Sequence, residues 1–173
     1  MLVSLIAALA HDRVIGSSIG RIPWDLPRDR AHFRRRTEGR WLLVGRTTYL
    51  EMEGWFGSRS PIVLTRDSEF SPHHPSHRIA TSPAAAIDLA RRNGARELLV
   101  CGGAGVYAAT LPFADRLLLT RIDLAPAIPD PVRFPDFESS GEWTLRHAES
   151  WDTCPAARYE VYGRNRDLYS AGG

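Results

Sequence analysis

The chain has 173 residues, 43% hydrophobic and 24% charged, which suits one domain with a sizeable core and is short for two. No apolar run reaches the length of a bilayer span, and a formal net charge of +2 does not demand a polyanionic partner. All 22 basic residues are arginine, a side chain suited to bidentate capture of carboxylate and phosphate, so anionic small molecules are the expected ligand class.

Residues 2–9 form a near-continuous apolar run, the pattern of a strand covered on both faces. No basic segment precedes this run, so it reads as a first strand rather than a secretory signal, and the expected location is the cytoplasm. Pro27 can open a helix at its first position, running to about Thr37. Trp41-Leu42-Leu43-Val44 and Ile62-Val63-Leu64 read as short buried strands. The Pro- and His-rich stretch from Ser68 to Ser76 reads as an exposed loop. A second helix is expected from Pro83 to Asn93, with Ser82 as N-cap and Gly94 as its stop. Leu98-Leu99-Val100-Cys101 then forms a buried strand, ending in Gly102-Gly103-Ala104-Gly105 and followed by a short helix to about Thr110. Arg116 to Ile122 is another strand, and Trp143–Leu145 with Tyr159–Tyr162 form a closing antiparallel pair. The alternation predicts an α/β domain with a largely parallel sheet. A single domain is expected over 1–164, with residues 165–173 a frayed tail.

Cys101 and Cys154 make neither a disulfide framework nor a metal-ligand pair. His73, His74 and His77 have no acid or Cys partner in their loop, so a metal is not expected. The run Arg28-Asp29-Arg30-Ala31-His32-Phe33-Arg34-Arg35-Arg36 matches no RNA-binding module and reads as a solvated helix face. No nucleophile elbow or triad supports a hydrolase.

Asp29 falls in the first turn of the first helix, with Phe33 four residues later on the same face and Leu26 nearby. An acid beside apolar groups has a raised pKa and can bind an amidine-like edge. Helix position alone favours the other reading, an acid that complements the helix dipole. Gly102, Gly103 and Gly105 permit close approach to a backbone turn, although the Gly-x-Gly-x-x-Gly fingerprint is absent.

The string Ile6-Ala7-Ala8, Gly16, Pro23-Trp24-Asp25-Leu26-Pro27-Arg28-Asp29 and Phe33 resembles the N-terminal signature of the dihydrofolate reductases. Further matches follow in order: Gly45-Arg46-Thr47-Thr48-Tyr49, Arg59, Ile62-Val63-Leu64-Thr65-Arg66, Cys101-Gly102-Gly103-Ala104-Gly105-Val106-Tyr107, Leu119-Thr120-Arg121-Ile122-Asp123 and Phe134-Pro135-Asp136-Phe137. The resemblance covers residues 1–163 and implies about eight strands, with an antiparallel C-terminal strand, flanked by about four helices. It implies an NADPH-dependent monomer that reduces dihydrofolate, with no nucleic-acid or membrane partner. A related reductase of riboflavin synthesis shares the general fold but lacks the Trp-x-Leu-Pro-x-Asp string.

The resemblance also implies roles. Asp29 would anchor the pterin and favour protonation at N5, with Thr120 behind it and Trp24 holding a water. Ile6 and Ala8 would line the pterin slot, Phe33 and Phe56 would wall the aminobenzoyl ring, and Arg59 would take the glutamate carboxylate. The cofactor would lie along Ala8, Ile15, Gly16, Ile22, Gly45 and the Cys101–Tyr107 turn, whose Gly-Gly bond is cis in the family. Arg46, Thr47 and Thr48 would open a helix at its phosphates, and Arg46, Thr65 and Arg66 would surround the 2′-phosphate. Ser17 to Ile22 would be a lid. The chain departs from the pattern in a lid one residue longer than usual, in Ser58 where glycine is common, and in Asp130-Pro131-Val132 where Gly-Asp-Thr often stands. The proline removes a backbone donor from any lid-docking bond. Arg30 replaces a common leucine and either reaches the glutamate tail or points to solvent; it is expected to weaken small antifolates relative to substrate.

Overall fold

The computed structural model describes residues 1–20 and 22–165. Eight strands form one sheet in the order β5-β4-β3-β6-β1-β7-β10-β9. They are β1 (Leu2–Leu9), β3 (Trp41–Gly45), β4 (Ser60–Leu64), β5 (Arg78–Ala80), β6 (Glu97–Gly102), β7 (Arg116–Ile122), β9 (Trp143–Trp151) and β10 (Ala157–Arg164). Pairs from β5 through β7 are parallel, and β10 runs antiparallel to both β7 and β9. A small second sheet pairs β2 (Val14–Ser17) with β8 (Pro131–Arg133). Four helices flank the main sheet: α1 (Pro27–Thr37), α2 (Arg46–Glu51), α3 (Pro83–Arg92) and α4 (Ala104–Thr110).

The central strands β1, β3, β4, β6 and β7 are apolar on both faces because the sheet is covered on both there, and their side-chain alternation sorts them into two cores. Val3, Leu5 and Leu9 of β1 join Leu98 and Val100 of β6 and Leu117 and Leu119 of β7 against Ala86, Ile87 and Ala90 of α3 and Val106 of α4. Ile6, Leu99, Leu118 and Ile122 point the other way, toward Leu26, Phe33, Trp151 and Tyr159. Leu5, Leu42, Leu99 and Leu117 are fully buried, and truncating any one to alanine costs about 2–5 kcal/mol.

The helix ends follow local chemistry. Ser82 Oγ accepts from the Ala85 amide at 3.2 Å, and Gly94 takes φ +77° just past α3. Pro27 opens α1, which ends at Thr37, where the Thr37 hydroxyl donates to Phe33 O at 2.7 Å. Several arginines of α1 are engaged within the molecule: Arg28 with Glu149 at 2.8 Å, Arg36 with Glu97 at 3.5 Å, and Arg30 with Asp25. Asn165, placed in the expected tail, is held by its amide donating to Glu142 O at 2.7 Å and by Thr144 Oγ1 donating to its Oδ1 at 2.6 Å. The rest of that tail, 166–173, lies outside the described residues.

Strand β1 pairs with β6 only over Leu2–Leu5 but with β7 over Ser4–Leu9. Beyond Leu5 the carboxyl ends of β1 and β6 are therefore no longer zipped together, which opens the sheet where ligands of open α/β sheets bind. Among the described residues, no helix is long and apolar enough to cross a membrane.

Candidate active site

A cleft of about 1350 Å³ runs across these carboxyl ends. That exceeds the roughly 300–1,000 Å³ of a site for one small ligand, so there is space for two molecules side by side.

One end is built from β1, β7, β10 and α1. Ala8 of β1 is in register with Thr120 of β7, which is in register with Tyr159 of β10, so the three share one row and one face of the sheet. All three line the cleft with Ile6 and Leu118. The first turn of α1 carries Asp29 over this row, and the Thr120 side chain is hydrogen-bonded to the carboxylate. Burial pushes the Asp29 carboxyl above the ordinary carboxylate range, and the Thr120 bond holds it partly back. Asp29 thus occupies the dipole-favoured helix position and also faces the cleft. Trp24 lines the same end.

His32, one turn after Asp29, is a lining residue that the sequence did not single out. Its ring lies 4.4 Å from Tyr159 and 5.4 Å from Trp151, and burial, with Arg35 and Arg36 nearby, lowers its pKa.

At the mouth of this end Phe33 stacks on Trp55 at 5.3 Å with rings 25° apart, and both line the cleft. Phe56 does not line it. It is 3% exposed and stacks on Tyr49 at 5.1 Å inside the core. The expected second wall is therefore corrected to Trp55: the two residues lie in an irregular turn, where adjacent side chains diverge. Arg59 also stands behind the wall rather than on it. Its guanidinium lies 3.9 Å over the Trp55 ring and donates through Nε to Thr37 Oγ1 at 3.0 Å, Nη2 to Arg34 O at 3.0 Å, and Nη1 to Phe56 O at 3.3 Å. Arg30 lines the cleft edge while pairing with Asp25, so of its two expected directions it takes the outer one.

The other end is formed by β6, α4 and α2. Cys101, Gly102, Gly103, Ala104, Gly105, Val106 and Tyr107 all line it, with Gly45, Arg46, Thr47 and Thr48 opposite. The Gly102–Gly103 peptide is cis. A Cβ at Gly102, where φ is +115°, would lie 3.2 Å from Tyr107 Oη; that hydroxyl donates to Ile6 O at 2.7 Å. At Gly45 a Cβ would lie 3.0 Å from Val106 Cγ2. Bare backbone is thus required on both sides of this end. Burial pushes the Cys101 thiol well up, so it is a neutral wall rather than a nucleophile.

Of the three residues expected around a 2′-phosphate, Arg46 and Thr65 line the cleft, whereas Arg66 is exposed and not among its lining residues. The sequence reading missed Asp67, which also lines the cleft and pairs with Arg46.

Ile15, Gly16 and Ile22 border the cleft from the β2 side, along with Ser18, Ile19 and Gly20. Ile19 and Ile22 are 75% and 63% exposed, so the segment carries apolar side chains left largely uncovered by the described residues. Its stem is held to β8 by the Gly16–Val132 and Ser17–Pro131 pairs. Although Pro131 offers no donor, the bond is made through a carbonyl: the Ser18 amide donates to Asp130 O at 3.2 Å.

Comparison with known proteins agrees with this geometry. The family model described as dihydrofolate reductase matches residues 2–165. The chain is 37% identical over 141 residues to the dihydrofolate reductase type 3 of Salmonella typhimurium, covering 82% of this chain and 83% of that protein. It is 33% identical over 150 residues to the dihydrofolate reductase of Bacillus subtilis, covering 86% and 83%. A solved dihydrofolate reductase from Enterococcus faecalis, complexed with NADP(H) and the compound RAB-propyl, superposes with a TM-score of 0.81 at 26% identity, covering 95% of this chain and 96% of that one. With the motif order, sheet topology and family match all over nearly the whole length, the chain belongs to the dihydrofolate reductase family.

Proposed function

We propose that the chain reduces 7,8-dihydrofolate to 5,6,7,8-tetrahydrofolate with NADPH, and that Asp29 anchors the pterin and promotes protonation at N5. The observation that carries this reading is a half-buried carboxylate with a raised pKa, backed by a buried threonine, in a cleft with space for two ligands.

The residues present fit the cofactor. The cleft wall presents bare backbone at Gly45, Gly102, Gly103 and Gly105, against which a flat ring and a phosphate chain can lie closely. Residues 101–107, with Arg46, Thr47, Thr48 and Thr65, would hold it, and Ala8, Ile15, Gly16 and Ile22 would border its reactive ring. When bound, NADPH supplies the hydride.

The chain's own side chains supply binding, orientation and the proton. Ionised Asp29 accepts from the 2-amino group and ring N–H of the pterin, fixing which face meets the hydride donor. Its raised pKa keeps a proton available nearer neutral pH than an ordinary carboxylate would. Thr120 positions the carboxylate, and Trp24 orients a water that can relay the proton. Ile6 and Ala8 flank the pterin, Phe33 and Trp55 enclose the aminobenzoyl ring, and Arg59 receives the glutamate α-carboxylate. Ile19 and Ile22 exclude water when the lid covers the cleft.

The unit proposed is the single domain 1–164, acting as a monomer in the cytoplasm. Supporting this, the edge strand β5 has only three residues and β9, at the other edge, carries Arg146 and Glu149, both of which discourage sheet-to-sheet pairing. Both cysteines are free, as in a reducing compartment.

The test is the decay of NADPH absorbance with the purified chain, with and without dihydrofolate. The expected result is loss only with dihydrofolate; no substrate-dependent loss would refute the proposal.

A further inference from the structure

The adenosine end of the cleft contains a charge that works against its expected ligand. Arg46 opens α2 and lines the cleft, but its Nη1 is engaged by Asp67 Oδ2. Asp67 is itself fixed: its Oδ1 accepts from the Glu69 amide at 3.0 Å, and its own amide donates to Thr65 Oγ1 at 3.1 Å. Of the polar groups expected to receive a 2′-phosphate, the Arg46 guanidinium is therefore held by the Asp67 carboxylate, while the Thr65 hydroxyl oxygen accepts from the Asp67 backbone amide. Arg66 is exposed and is not among the residues that line the cleft. The adjoining hollow is lined by Glu51, Asp67 and Glu69 against the single arginine Arg46.

We propose that Asp67 is a specificity-determining residue that competes with the 2′-phosphate of NADPH for Arg46, narrowing the preference of this site for NADPH over NADH. The inference rests on the cofactor reading given above. A phosphate dianion at this position must displace the carboxylate from Arg46 and then remain beside it, whereas a ribose 2′-hydroxyl can donate to the same carboxylate without disturbing the pair. A carboxylate in this place favours the hydroxyl by acceptor chemistry and disfavours the phosphate by like charge. Because Asp67 and Arg46 are 37% and 49% exposed, solvent screens the effect to a modest size.

The test is calorimetric titration of the whole chain with 2′,5′-ADP and with 5′-AMP, for wild type, Asp67→Asn and Asp67→Ser. Both variants keep an oxygen that can accept from the Glu69 amide. The expected result is that 2′,5′-ADP binds about fivefold tighter to each variant while 5′-AMP stays within about twofold, as for an exposed charge pair. A far-ultraviolet circular dichroism spectrum and melting temperature matching wild type are the check that each variant is folded. Unchanged or weaker 2′,5′-ADP binding in both variants would overturn the proposal, because Asp67 would then be holding Arg46 in place for the phosphate. Wild type that binds neither nucleotide would overturn the cofactor reading itself.

Discussion

Arg59 offers a prediction whose size follows from counting donors. A guanidinium has five N–H groups. Three are used internally, on Thr37 Oγ1, Phe56 O and Arg34 O, which leaves one on each terminal nitrogen. The Trp55 ring beneath fixes the plane of this remaining fork. Trp55 and Phe33 form the cleft mouth, so the fork waits one layer beyond the aromatic wall, where the glutamate of dihydrofolate would emerge. Two charge-assisted bonds at a solvated mouth contribute about 2 kcal/mol together, after screening. Arg59→Lys keeps the charge but not the fork, so KM for dihydrofolate should rise about thirtyfold with kcat little changed. Dihydropteroate, which has no glutamate, separates this loss from general damage to the wall. Steady-state kinetics on both substrates should show the penalty on dihydrofolate alone. An equal penalty on both substrates, or none on either, would remove Arg59 from the glutamate site.

Other consequences concern stability, pH and cofactor binding. Asp29 has a folded pKa raised above the unfolded value, so the fold is penalised once the pH rises through the folded pKa, and the penalty is absent below about 3.8. Asp29→Asn should therefore raise Tm at neutral pH, with the gain vanishing as the pH falls toward 3.8; a gain that persists there would contradict this origin. Tyr107→Phe leaves the buried Ile6 carbonyl without the 2.7 Å hydroxyl donor and should cost about 1–2 kcal/mol in urea unfolding. Gly102→Ala forces a Cβ at φ +115° against the Tyr107 ring. It should lower both Tm and nucleotide affinity, measured by thermal unfolding with and without NADPH.

Much of the fold is local enough to read from sequence. Pro27 and the Ser82–Gly94 pair mark helix ends, and β7 follows from an apolar run bounded by polar residues. The β2–β8 ribbon is invisible because it joins two short segments more than a hundred residues apart, one of them opening on Pro131. Strand β5 is missed because only three residues, two of them exposed, carry it. In the site, Asp29, Thr120 and the glycine turn are legible through motif order. Trp55 and Phe56 are not distinguished, since an irregular turn has no periodicity to say which side chain faces inward. Asp67 is missed because its engagement of Arg46 is a tertiary contact across 21 positions.

In the function proposed above, Asp29 couples pterin binding to proton supply. Single-turnover hydride transfer from NADPH to dihydrofolate, followed across pH for wild type and Asp29→Asn, tests it most directly. The wild-type rate should fall as the pH rises through the raised Asp29 pKa, and the variant should lose most of its rate at neutral pH and no longer show that titration, while still binding NADPH. A variant with wild-type rates and the same pH profile would contradict it.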